Sequence, residues 1–331
     1  MRVGTLLSAF AVFPTVALGA DTAVAVPRGD PKRQLVAEFW GFGSSSSPCK
    51  CKSTPRPCLF IHGENNEEEK EKLQSSSDLF GDMEGHAPCC SSIQYASLDT
   101  INFGWTSEKL QEKVCGHALS MSESSDAAEG VIKDTILVTH SMGALIVAGA
   151  VANEKCTMDK STTWVSMSAP MNGTMLSNYV QDKCTDDDMQ AFNKILTLVD
   201  ECPADAGMKS IAYMGGKYSS LALNKAFEEA QEVYRDHVSA AMCSNDNAGI
   251  NSMSKARYLY LGSKIEHGTG EHDGIVTFQS CRGGLPASQF TNSPSNRFYA
   301  SECNHVDTAF KNGNSYSNDA RKPVQWFECL L

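Results

Sequence analysis

Ser141 stands where an apolar run gives way to small residues: Val138-Thr139-His140-Ser141-Met142-Gly143, followed by Ala144, Ala148 and Gly149. A strand that passes into a helix through one serine makes a tight, strained turn, and such a turn demands small residues two positions to either side. Gly143 meets that demand and Thr139 meets it in part. The turn would hold the serine Oγ clear of a sheet, at the positive end of the following helix, which is the placement nucleophilic catalysis needs. Three other segments carry groups that such chemistry uses. Leu59-Phe60-Ile61-His62-Gly63 is an apolar run closed by a His-Gly turn. Glu271-His272-Asp273-Gly274-Ile275-Val276 brings two carboxylates, and Cys303-Asn304-His305-Val306-Asp307 brings an imidazole.

The segment around Ser141 resembles the nucleophile elbow of the α/β-hydrolase superfamily, and of its secreted lipases and esterases in particular. Thr139 replaces the usual first glycine, as it does in some lipases. The resemblance runs over roughly residues 56 to 330. It implies a triad of Ser141, Asp273 and His305. Asp273 is preferred to Glu271 because the form Asp-Gly-x-Val fits the acid loop. Of the eight histidines, at 62, 86, 117, 140, 237, 267, 272 and 305, only His305 follows Asp273 as the order Ser, Asp, His requires. The same resemblance places the oxyanion hole at the backbone N–H groups of Glu64 and Met142, aimed at the oxygen that becomes negative. The Glu64 carboxylate must then point away from that charge. The implied reaction is hydrolysis of a carboxylic ester through an acyl-enzyme, with His305 as base and Asp273 orienting it. It calls for no cofactor and no metal. The expected substrate is an ester or lipid with an apolar acyl group. Val138 to Gly143 also resembles the elbow of inositol deacylases that act on glycolipid anchors, and the triad would serve thioesters or peptides as well. The competing expectations are a catalytically inactive hydrolase fold used for binding, and a secreted effector.

Around these residues the chain alternates short apolar runs with amphipathic stretches. Strands are predicted at 58–61, 93–98, 135–138, 163–167, 257–261 and 297–300, and a helix at 107–119. Strands separated by helices predict an α/β fold, a mostly parallel sheet flanked by helices. An insertion at about 171–255 carries two helical faces, one through Met189, Phe192, Leu196 and Val199, the other through Leu223, Phe227, Ala230, Tyr234, Val238 and Ala241. It is expected to form a helical cap over the carboxyl edge of the sheet.

Composition narrows the partners. The 331 residues carry 39 acidic and 28 basic side chains, a formal net charge of −11, which disfavours nucleic acid and polybasic membrane attachment. Residues 1–19, with Arg2, the apolar stretch from Thr5 to Val16 and Ala17-Leu18-Gly19, have the pattern of a secretory signal peptide, and 20–55 of a leader. No later segment is long enough to span a bilayer. A secreted location makes the 13 cysteines a disulfide framework. The odd count leaves one over, available for a disulfide-linked dimer. Cys281 and Cys303, which flank the acid and histidine loops, are expected to pair. No spacing of cysteines or histidines forms a zinc site. Asn172-Gly173-Thr174 is an N-glycosylation sequon.

Overall fold

The structure is a computed structural model that describes residues 49–184 and 202–331. The expected signal peptide, most of the leader and the helical face from Met189 to Val199 lie outside the described residues. Six strands form one parallel sheet in the order β2-β1-β4-β6-β7-β8. They are β1 (Arg56–Ile61), β2 (Cys90–Tyr95), β4 (Ile136–His140), β6 (Thr163–Met167), β7 (Val238–Ser244) and β8 (Phe298–Ser301). Two short strands, β3 (Val131–Ile132) and β5 (Thr157–Met158), pair separately. β1, β4 and β6 read as continuous apolar runs because both sheet faces are covered. Alternate residues feed opposite cores. Leu59, Ile61, Leu137 and Trp164 join one, and Phe60, Val138, Val165 and Met242 the other.

Helices α1 (Glu108–Ser120), α2 (Met142–Ala152) and α5 (Leu221–His237) cover the first face. Trp105 meets Phe227 there at 5.1 Å between ring centroids, and Trp164 meets Tyr234 edge-on at 5.4 Å. Two shorter helices, α3 (Met175–Lys183) and α4 (Ala206–Ser210), follow β6 near the carboxyl edge. After β7 come α6 (Lys255–Lys264) and α7 (Phe278–Arg282). The second face is closed by α8 (Pro323–Leu330), whose Trp326 and Phe327 are buried against Tyr299, Phe60 and Phe310. Among the described residues, no helix is long and apolar enough to cross a membrane.

Two expected elements are exchanged. Residues 257–261 form part of helix α6 rather than a strand: Tyr258 and Leu261, three apart, are buried, while Leu259 is 42% exposed. That is a helical period, not an alternating one. The strand between β6 and β8 is instead β7, whose Val238 and Ala241 continue the apolar face of α5 in the sequence. The helix stops at His237 and Val238 is already extended, at φ −67° and ψ 123°. No glycine or proline marks this change; pairing with both neighbouring strands decides it. The chain between β6 and β7 is therefore residues 168–237, and its last helix packs beneath the sheet with α2 instead of over its carboxyl edge.

The described residues hold six disulfides: Cys49–Cys329, Cys51–Cys89, Cys58–Cys90, Cys115–Cys156, Cys184–Cys202 and Cys243–Cys281. The expected Cys281–Cys303 bridge is not formed. Cys281 pairs with Cys243 on β7, a partner hidden by the misassigned strand. Cys303 is the free thiol and is 0% exposed. A disulfide-linked dimer through it would need a thiol at the surface, and this one is not there.

Candidate active site

Ser141 joins β4 to α2 and has φ 53° and ψ −131°, a backbone state that L-residues rarely adopt. Its amide donates to the Met167 carbonyl at 2.9 Å, so the turn is stitched to β6. The strain is tolerated because the surroundings are small in the right places. A Cβ on Gly143 would lie 2.5 Å from the His62 carbonyl oxygen and 2.6 Å from that of Ile61. A Cβ on Gly63 would lie 2.6 Å from the Ser141 Cβ. Either glycine is thus a contact surface between the His-Gly turn and the serine turn. Thr139 departs from the elbow pattern but is accommodated: it is fully buried, and its hydroxyl accepts from the Trp164 indole at 2.9 Å.

The other two expected triad members are brought together. His305 Nδ1 donates to Asp273 Oδ2 at 2.7 Å. Asp273 Oδ1 accepts from the amides of Ile275 at 2.9 Å and Val276 at 2.7 Å, and the His305 amide donates to the Asp273 carbonyl at 3.0 Å. Gly274, at φ 97°, makes that tight turn. Burial on its own raises the Asp273 pKa, but the charge and hydrogen bond of His305 and the two amides bring it below the ordinary carboxylate range. With Nδ1–H committed to Asp273, neutral His305 has Nε2 free as an acceptor. Ser141 and His305 line one cavity of about 150 Å³, together with His62, Gly63, Glu64 and His140. Its other walls are largely apolar and include Leu176, Met208, Ile211, Ile275 and Val306.

The two expected oxyanion amides lie where the His-Gly turn faces the start of α2. Met142 is the first residue of α2, so its N–H has no partner within the helix. The Glu64 amide is oriented by what holds the preceding carbonyl. The Gly63 oxygen accepts from His62 Nδ1 at 2.7 Å and from Thr100 Oγ1 at 3.0 Å. Because a trans peptide is planar, its N–H points opposite to its C=O. His62 Nε2 accepts the Leu98 amide at 3.0 Å, which fixes the tautomer. Burial holds the His62 pKa down to about 4, so the ring stays neutral.

Several residues of the site carry no motif. His140 is held down to about 3 by burial and by His305, and its Nε2 donates to the His305 carbonyl at 3.0 Å. It thereby braces the backbone of the histidine loop. Thr308 Oγ1, 2.7 Å from the same carbonyl and 2.9 Å from Ser168 Oγ, adds a second brace. Tyr258, on α6, lines the cavity and packs on Gly274. The sequence offers no sign of this, since its segment reads as a strand. Asn172 lies apart, half-buried beside a separate hollow with Tyr213 and Asn224, where its side-chain oxygen accepts from Gln231 at 2.7 Å.

Glu64 resolves the difficulty posed by its position. Burial first, then the neighbouring Asp205, push the Glu64 pKa well above the ordinary range. A raised pKa favours the uncharged form, which would oppose no negative charge formed nearby.

No family model and no curated sequence matches the chain. Solved structures do. The mature lipase BlEst2 of Bacillus licheniformis matches 81% of this chain and 91% of its own, with a TM-score of 0.50 and 14% identity. The Staphylococcus hyicus lipase matches 86% of this chain and 95% of its own, with a TM-score of 0.40 and 12% identity. The metagenomic carboxyl esterase MGS0156 matches 83% and 75%, with a TM-score of 0.42 and 13% identity. The chain has the α/β-hydrolase fold.

Proposed function

We propose that the protein is a serine hydrolase that cleaves carboxylic esters through Ser141, His305 and Asp273. The observation that carries this reading is the strained turn presenting Ser141 in one cavity with a histidine whose Nδ1 is bonded to a buried carboxylate. His305 Nε2 takes the Ser141 proton as Oγ attacks the ester carbonyl, and Asp273 stabilises the resulting imidazolium. The amides of Glu64 and Met142 bind the tetrahedral oxyanion. The imidazolium gives its proton to the leaving alkoxide, and the neutral imidazole then takes a proton from water, which attacks the acyl carbon and releases the acid from Ser141. The apolar wall of Leu176, Met208 and Ile211 favours an apolar acyl group. The similar BlEst2 structure is that of a lipase, which supports this class.

Six disulfides fit an oxidising compartment and hence secretion. The sequon at Asn172 is proposed to be glycosylated before the Thr174 hydroxyl is buried against the Ile275 carbonyl. The test is covalent labelling of the full chain by a fluorophosphonate, with Ser141→Ala alongside. Labelling that the variant lacks supports an activated serine and is followed by a series of p-nitrophenyl esters of increasing chain length. Folded protein that neither labels nor turns over any ester, with or without detergent, overturns the reading in favour of a binding role.

A further inference from the structure

A further buried acid stands beside the triad and takes no part in the proton transfers of the proposed reaction. Asp307 lies two residues after His305 and is fully buried. Its Oδ2 accepts the amides of Ile250 at 2.8 Å and Asn304 at 3.2 Å, and its Oδ1 accepts from Asn312 Nδ2 at 2.6 Å. These three donors offset the cost of burying the group. They come from three places: the histidine turn itself, the stretch after β7, and residue 312 beyond the turn. Asn304 is bonded to Asp307 in return, its Oδ1 accepting the Asp307 amide at 3.1 Å. His305 is thus enclosed between two residues that hold each other. The packing is close. Gly249 has φ 65°, and a Cβ there would lie 2.3 Å from Asn304 Nδ2 and 2.5 Å from Asp307 Oδ2.

The same network reaches the acid loop. Asn312 Nδ2 donates its second hydrogen to Ser254 Oγ at 3.1 Å, and Ser254 is the N-cap of α6. That helix carries Tyr258. A Cβ on Gly274, next to Asp273, would lie 3.0 Å from the Tyr258 carbonyl oxygen and 3.2 Å from its ring. One path from the carboxylate therefore runs through Asn304 to His305, and the other through Asn312 and α6 to Asp273. His305 and Asp273 meet in a hydrogen bond of 2.7 Å, which the placement of both loops must preserve.

We propose that Asp307 is a positioning residue that fixes the histidine loop, keeping the His305 ring on Asp273 and its Nε2 in the cavity shared with Ser141. This deepens the proposed ester hydrolysis and rests on it for the role of Nε2. Asp307 is not among the residues that line the cavity, and the apolar wall of Leu176, Met208 and Ile211 comes from another part of the chain. Loss of the brace should accordingly act on the chemical step more than on substrate binding.

The experiment compares wild type, Asp307→Ala, Asp307→Asn and Asn312→Ala in hydrolysis of p-nitrophenyl butyrate, with rates taken per folded molecule. Asp307→Ala removes every acceptor. Asp307→Asn keeps an oxygen for the two amides and presents its NH₂ to Asn312, whose own amide can rotate to accept it. Positioning predicts that Asp307→Ala loses about tenfold to a hundredfold in kcat, with KM changed by less than about threefold. Asp307→Asn should recover most of that loss. A kcat near wild type in Asp307→Ala overturns the proposal, as does a loss that falls mainly on KM or that Asp307→Asn does not repair. Asn312→Ala removes one donor and the link to α6 and leaves the two amides in place. It should lower kcat by a smaller factor, and an unchanged kcat there overturns the proposal even if Asp307→Ala does not fold. Amide hydrogen exchange supplies a readout that needs no activity. Residues 304–310 should exchange faster in each folded alanine variant than in wild type; equal exchange overturns the brace. Wild type that neither labels nor turns over any ester would overturn the hydrolase reading alone, and exchange would then judge the brace.

Discussion

Two buried carboxyl groups flank Ser141, and the structure treats them in opposite ways. Asp273 accepts two amides and an imidazole and is kept ionised below the ordinary range. Glu64 is pushed well above it, by burial first and then by the neighbouring Asp205. Burial pushes both in the same direction, so the donors decide. The acid loop turns back on itself, which gives a carboxylate its own amides. In the proposed mechanism the loop of Glu64 gives its amide to the oxyanion, and the side chain must then seek a partner elsewhere. In the proposed mechanism a charge at Asp273 supports the imidazolium, whereas one at Glu64 would act against the oxyanion.

The sharpest way to test this contrast is to remove the Asp273 charge with an isosteric amide. Asp273→Asn loses the correct imidazole tautomer and should lower kcat by about 10³ to 10⁴, measured on p-nitrophenyl butyrate. Sensitivity to pH follows the same division. The stability contributed by Asp273 is present above the ordinary carboxyl range and is lost as pH falls through its lowered value. The gap in thermal unfolding between wild type and Asp273→Asn should therefore narrow only below about pH 4.

A second approach disturbs the seam between the two regions. Gly63→Ala would drive a methyl group into Ser141 Cβ, 2.6 Å away. A shift of about 1 Å at the nucleophile should cost roughly a hundredfold in fluorophosphonate labelling rate. A rate within threefold of wild type would show that the seam yields more readily than its contacts suggest.

Covalent support is the next contrast. The acid side has the Cys243–Cys281 bridge, with a sequence separation of 38, and α4 on the Glu64 side follows the Cys184–Cys202 bridge, with a sequence separation of 18. Cys243→Ser with Cys281→Ser should lower stability by about 2–4 kcal/mol in urea unfolding and should impair kcat through the Asp273 loop. The smallest expected effect is that of Thr139→Val. It strands the Trp164 indole N–H and should cost about 1–3 kcal/mol with little change in kcat.

Much of the acid side was legible in the sequence, because each group sits in a local signature. Ser141 follows a fully apolar strand, Asp273 precedes a glycine in a tight turn, and the order left one histidine. The parallel sheet was legible for the same reason, at 58–61, 135–138 and 163–167. The passage from α5 to β7 was not, since Val238 and Ala241 suit a helical face as well as a buried strand. That one ambiguity also displaced the cap boundary and hid Cys243 as the partner of Cys281. The protonation of Glu64 was illegible because it depends on Asp205, which no motif marks and only the docking of α4 brings near.

The sheet ends at β2, whose strand partner is β1 and whose Tyr95 bridges to Gln74, and two disulfides pin it there: Cys58–Cys90 joins the two strands and Cys51–Cys89 fastens the segment just before. The opposite edge, β8, is shielded instead by its own loops, through the Thr291–Tyr299 bridge and the Tyr299 hydroxyl to the Asp319 carbonyl. A parallel edge strand released by reduction leaves the unpaired rim of β1, an apolar ladder open to strands of other molecules. Material made in a reducing cytosol should accordingly fail first by aggregating through this edge, before the serine turn is disturbed, and oxidative folding is the route by which soluble protein would be recovered.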